Sequence, residues 1–160
     1  MTKQVAFGGF WTEQKLQVLS SYLTEYRKIF HRNERARYYQ VTYLDAFAGT
    51  GKIPRAVQGA SLSLIPELTI PEEEFRKGSV RRALEVDPPF HHYVFIEKDA
   101  GKFEELSTIV REFPTRDVHV FKSDANRALI DWCERLNCQN ERAVVFLACF
   151  IREPIASAVF

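Results

Sequence analysis

Three carboxylates and one glycine-rich turn are the groups in this chain best suited to chemistry. Asp45 closes the run Val41-Thr42-Tyr43-Leu44, and Gly49-Thr50-Gly51 follows shortly after. The run mixes β-branched, aromatic and aliphatic residues, which favour a buried strand. Glycine accepts φ > 0 and carries no side chain, so its backbone amides can come within contact distance of a ligand. A strand that ends in an acid and runs into Gly-Thr-Gly can hold a nucleotide-shaped cofactor at the carboxyl edge of a parallel sheet. The alternative is a tight turn that needs its glycines for backbone geometry alone. A phosphate-binding P-loop is excluded. That motif requires Gly-x-x-x-x-Gly-Lys followed by Ser or Thr, whereas here Ala46 stands at the first glycine and Ile53 follows Lys52.

Glu97 ends a second strand-like run, His92-Tyr93-Val94-Phe95-Ile96, and Asp124 follows a third, Val118-His119-Val120-Phe121. In a parallel sheet the ends of all three strands lie along one edge, so Asp45, Glu97 and Asp124 are expected to line one crevice. Glu97 suits the two hydroxyls of a ribose. Asp45 can face an ammonium group or hold the glycine turn in shape. Asp124 can face an exocyclic amine or cap the helix that follows it. A ribose acid normally lies about 20 residues beyond the glycines, and Glu97 is much farther away. Residues 53–90 are therefore expected to be an insertion that loops out. The four histidines show no ligand spacing, and His91 and His92 read as surface residues. Cys133, Cys138 and Cys149 lack zinc-ligand spacing and read as reduced thiols, Cys133 and Cys149 in apolar surroundings. No metal site is expected.

The elements that position these groups follow from periodicity. A helix is expected over 11–32, with Thr12 as N-cap and Trp11 and Leu16 as a hydrophobic staple. Leu16, Leu19, Leu23, Tyr26 and Phe30 form its apolar stripe. Arg27, Lys28, His31, Arg32, Arg35 and Arg37 form a basic cluster at its other face and exit, suited either to nucleic-acid phosphates or to a solvated helix end. Pro54, Pro66 and Pro71 argue against a long helix in 53–75. Gly78-Ser79 are expected to cap a short helix, Val80 to Glu85. Further helices carry Phe103, Leu106 and Val110, then Leu129, Trp132, Cys133 and Leu136, inward. Ala143 to Leu147 is a continuous apolar run that suits a strand buried on both faces. Alternating strands and helices predict an α/β fold, a Rossmann-like parallel sheet with flanking helices, in one domain spanning 1–160. Lys and Arg number 22 against 21 acids in 160 residues, so no net field draws the chain to nucleic acid or membrane. Without a long apolar segment or leader, a cytoplasmic protein is expected.

The chain also resembles a known family. Trp11-Thr12-Glu13-Gln14-Lys15-Leu16, Tyr43 through Gly51, Gly78-Ser79 with Ala83-Leu84, Phe95-Ile96-Glu97-Lys98 and Asp124-Ala125-Asn126 occur in the order seen in bacterial three-Cys-motif partner proteins. The resemblance runs from about Trp11 to Leu147. It implies a sheet similar to S-adenosylmethionine-dependent methyltransferases, with that cofactor bound by Asp45, Gly49, Thr50 and Gly51, Glu97 on the ribose and Asp124 on the adenine side. It also implies a companion three-Cys-motif protein as partner. Members of the family follow the fourth strand with Asp-Pro, an aromatic residue and Gly, whereas here Ala148-Cys149-Phe150 follow. On that ground a truncated or frameshifted end is expected, with C-terminal strands missing and catalysis lost. The fourth strand would then be an exposed apolar edge unless the tail Ile155 to Phe160 covers it. Competing expectations are a non-enzymatic module that binds the companion and a nucleotide, and a nucleic-acid-binding module using the basic cluster.

Overall fold

The computed structural model describes residues 10–50 and 78–147. In chain order the elements are α1 (Phe10–Arg32), β1 (Gln40–Asp45), α2 (Ser79–Leu84), β2 (His92–Glu97), α3 (Ala100–Arg111), β3 (Val118–Lys122), α4 (Ala125–Arg135) and β4 (Glu141–Phe146). The four strands form one sheet in the order β3-β2-β1-β4, with every neighbouring pair parallel. This is a Rossmann-like α/β architecture. Gly51, residues 53–77 of the insertion expected over 53–90, Cys149 and the tail 148–160 lie outside the described residues, as does the side chain of Trp11 in the expected staple.

Alternation along the strands assigns residues to two faces. Val41 and Tyr43 of β1 and Tyr93 and Phe95 of β2 share one face, where Leu16, Leu19 and Leu23 of α1, Val80, Ala83 and Leu84 of α2, and Leu106 and Ile109 of α3 cover them. Leu44, Ala46, Val94 and Ile96 point to the other face, against Ala125, Ala128, Leu129 and Trp132 of α4. Helices change faces between the β2–β3 and β3–β4 connections, and the chain returns across the sheet to lay β4 beside β1. The topological switch point therefore lies between β1 and β4, where open α/β sheets form their ligand crevice.

The helix ends follow local chemistry. The Asp99 carboxylate accepts from the Lys102 amide at 2.9 Å and caps α3, and Asp124 caps α4 in the same way. α1 starts by Phe10, so Thr12 lies inside its first turn, a boundary shift of ordinary size. Asn33 ends that helix, its side-chain oxygen accepting from the Arg35 amide at 2.9 Å.

Several expectations are corrected. Arg27 does not belong to an exposed basic cluster: it is only 4% exposed, its Nε donates to the Pro89 carbonyl at 2.8 Å, and its guanidinium lies over the Phe90 ring. Its position three to four residues from Leu23 and Phe30 puts it on the apolar stripe. Lys28 and Arg37 are paired with Glu25 and Glu34, which leaves the cluster much reduced. Residues 78–90 do not loop out, since Val80, Ala83, Leu84 and Phe90 are core residues. Cys133 is exposed, because α4 turns Leu129 and Trp132 toward the sheet and Cys133 away from it. The strand β4 is only half-buried: α4 sits over β1 and β2, and Val145 and Leu147 remain 37% and 56% exposed. An apolar run records a preference for burial, not the presence of a cover.

His91 is half-buried rather than a surface residue, whereas the His92 side chain is exposed, as expected. The Nδ1 of His91 accepts from the Val41 amide at 2.9 Å, tying the entry of β1 to that of β2. Burial, then the nearby Arg27 charge, lowers the pKa of this imidazole.

Two buried tyrosines on the same face give opposite predictions. The Tyr93 hydroxyl accepts from the buried Phe90 amide at 3.0 Å, whereas the Tyr43 hydroxyl has no hydrogen-bond partner. Tyr93→Phe should cost about 1–3 kcal/mol, since it orphans a buried donor. Tyr43→Phe should be neutral or stabilising by up to about 1 kcal/mol, because it removes an unmet polar group. Urea unfolding of the two variants checks the order, and equal losses would contradict it.

Candidate functional site

β1 delivers Asp45 to the carboxyl edge with no exposed surface at all. One of its oxygens accepts from the Phe47 amide at 3.1 Å, which folds the chain back into the turn after β1. The other accepts from the Ser79 hydroxyl at 2.6 Å, at the first residue of α2. Of the two roles open to Asp45 in the sequence, the structure therefore carries out the second, holding the turn in shape. Burial raises its pKa to about 6; the bonds from Ser79 and Phe47 oppose that shift, and the nearby Glu97 charge adds to it.

Ser79 is the residue that sequence reasoning missed. Gly78-Ser79 reads as a capping pair, but Gly78 occupies the N-cap without a side-chain bond and the Ser79 hydroxyl points to Asp45 instead. A serine at a helix start normally signals a cap, and only the tertiary fold brings it to a carboxylate 34 positions away.

The turn itself is completed by Glu97. One carboxylate oxygen accepts from the Gly49 amide at 2.9 Å and the other from the Asp99 amide at 2.8 Å. The Ala48 amide donates to the Ile96 carbonyl at 3.1 Å, so the turn after β1 is stitched to the end of β2 by side chain and backbone together. Gly49 has φ of 60°, and a Cβ built there would meet nothing within 4 Å. Its glycine is required by the left-handed backbone, and the space beside it is open. A ligand could approach the turn from that side.

Asp124 reaches the same edge, two residues beyond Lys122, which pairs with Glu97 across β2 and β3. Its carboxylate accepts from the Asn126 and Arg127 amides at 3.1 and 3.4 Å and lies 3.6 Å from the Lys98 ammonium. These bonds hold its pKa below the usual carboxylate range, the Arg127 amide contributing most. The structure thus brings Asp45, Glu97 and Gly49 together around one turn, with Thr50 half-buried beside it, and engages Asp124 as a helix cap. Gly51 lies outside the described residues.

Among the described residues there is no group of three or more His, Cys, Asp or Glu placed to hold a metal ion, and no helix long and apolar enough to cross a membrane. Fold and edge together define a Rossmann-like domain with an acid-supported glycine turn at its carboxyl edge. No family model, curated protein or solved structure matches the chain.

The buried Asp45 gives a signed pH prediction. Its folded pKa, about 6, lies above the ordinary 3.8, so the fold favours the neutral acid. The resulting stability is fully present below the unfolded value and is lost as pH rises through the folded one. The shift corresponds to about 3 kcal/mol. Asp45→Asn keeps an acceptor for the Phe47 amide and removes the charge. It should therefore be more stable than wild type at pH 7.5, by up to about 3 kcal/mol, and the gap should close near pH 4. Comparing the two proteins by denaturant unfolding cancels the opposite trend from His91. A constant gap across that range would contradict the prediction.

Proposed function

We propose that this chain binds S-adenosylmethionine at the carboxyl edge of its sheet, as the cofactor-binding part of a methyltransferase-like protein of the three-Cys-motif partner kind. The observation that carries this reading is the placement of the Glu97 carboxylate, half-buried at the end of β2 and bonded to the Gly49 amide beside open space. Each carboxylate oxygen accepts one backbone amide and keeps a further lone pair. That capacity fits the two hydroxyls of a ribose, while the Gly49 turn allows close approach of the cofactor to backbone.

When bound, S-adenosylmethionine supplies an electrophilic methyl group on a sulfonium, so transfer is chiefly a matter of placing a nucleophile in line with it. The chain's own residues prepare for this by holding the turn rigid. Asp45 fixes its start and Glu97 its end, and the Ser79 hydroxyl ties α2 to Asp45. The acceptor on this reading is a nucleobase or protein nitrogen, and the companion three-Cys-motif protein is the expected partner. The basic cluster adds little support for nucleic acid, given that Arg27 is buried and Lys28 and Arg37 are paired with acids.

Calorimetry with S-adenosylmethionine on the full chain tests the proposal. Glu97→Ala should weaken binding by about 1–3 kcal/mol, the cost of leaving partnered polar groups unmet. Asp124→Ala should instead lower stability by about 0.5–2 kcal/mol through its cap and leave affinity largely unchanged. A folded wild type that binds neither this cofactor nor S-adenosylhomocysteine would refute the reading, as would unchanged affinity in Glu97→Ala.

A further inference from the structure

At the opposite, amino-terminal end of the sheet, on the face packed by α4, lies a cavity of about 310 Å³. Thr42, His92 and Val94 line its floor, with His119 beside them on β3 and Trp132 and Arg135 over them from α4. The sheet register explains the grouping. Thr42 pairs with His92 across β1 and β2, and Val94 pairs with His119 across β2 and β3. All four therefore share one face of three adjacent strands. The size is at the small end of ligand pockets, which run roughly 300–1,000 Å³, and suits a single ring with its substituents.

Two of the polar groups around this cavity can only donate, the Trp132 indole N–H and the Arg135 guanidinium. Asp117 is engaged by both imidazoles, the His92 Nδ1 on one oxygen and the His119 Nε2 on the other at 3.2 Å. Its charge is thus held between the two rings. Glu141, also on the lining, already accepts from the Asn137 amide at 2.7 Å. The Thr42 hydroxyl, the Trp132 indole N–H and the Arg135 guanidinium are described without any hydrogen-bond or ion-pair partner among the described residues. A guanidinium presents a planar fork that matches a carboxylate, and the Trp132 ring and Val94 supply apolar surface beside it.

We propose that this cavity is a binding site for a small aromatic carboxylate, with the ring against Trp132 and Val94 and the carboxylate on Arg135. It is separate from the carboxyl edge and does not depend on the cofactor reading. The other unexplained features carry less. The exposed Val145 and Leu147 have nothing to indicate their cover, and the unpartnered Nη1 of Arg27 is enclosed in the core.

Benzoate is the probe, titrated into the full-length ¹⁵N-labelled chain. The chain has two tryptophans, so the Trp132 indole resonance can be assigned by its loss in Trp132→Phe. Benzoate should shift that resonance saturably and leave the Gly49 amide unmoved. Benzylamine, which reverses the charge, and inorganic sulfate, which lacks the ring, should each bind at least about tenfold more weakly. Arg135→Gln, at an exposed position, should weaken benzoate by about tenfold or more, the loss of one charge-assisted contact, with an unchanged melting temperature. Absence of a saturable Trp132 shift, equal binding of benzylamine or sulfate, or full affinity in folded Arg135→Gln would each overturn the proposal.

Discussion

A carboxylate with no surface in water, Asp45, sets the conditions for everything at the carboxyl edge. Burying a charge is costly unless its oxygens are met by donors. Asp45 is met twice, by the Phe47 amide in its own turn and by the Ser79 hydroxyl of α2. The Phe47 bond folds the turn onto β1, and the Ser79 bond joins it to α2, 34 positions along the chain. The strand end, the turn and the start of α2 are consequently fixed in one arrangement, and the pKa near 6 records the residual strain of keeping an acid there. Buried ionisable groups of this kind concentrate at functional sites, although structural networks produce them as well.

Glu97 works from the other side of the same turn. It lies on the face of β2 that continues Tyr93 and Phe95, two rings in the main core. Core packing thereby positions a carboxylate whose oxygens hold the Gly49 and Asp99 amides. Removing either acid would release one end of the turn while leaving the other tethered. The two acids also repel each other, which favours a neutral Asp45 whenever Glu97 is charged. The arrangement is therefore asymmetric, with one acid turned inward as a brace and the other half-buried at the strand's end.

The strands, their parallel order of succession and the apolar stripe of α1 were legible because each rests on local periodicity. Leu16, Leu19 and Leu23 recur at helical spacing and are buried, and β1 to β3 begin and end within a residue or two of their apolar runs. Gly49 was legible as well, since a backbone at φ of 60° leaves its mark on residue type. What the sequence hid was tertiary. Arg27 reads as a surface cation until the Pro89 carbonyl and the Phe90 ring are brought to it. Ser79 reads as a cap until Asp45 takes its hydroxyl. The half-exposed β4 was misread because hydrophobicity does not identify the element that would cover it. Thr42, His92, His119 and Arg135 come from four separate elements, and no spacing rule joins them.

The central claim is that the acid-braced turn at the carboxyl edge receives a nucleoside. The most direct measurement is a backbone amide titration of the labelled chain with S-adenosylhomocysteine, followed at Gly49 and Asp99, the two amides that Glu97 holds. Saturable shifts at both, absent in a folded Glu97→Ala variant, are the result predicted here. A folded protein whose Gly49 and Asp99 amides do not move, or whose shifts gather instead around Trp132 and His92, would contradict it.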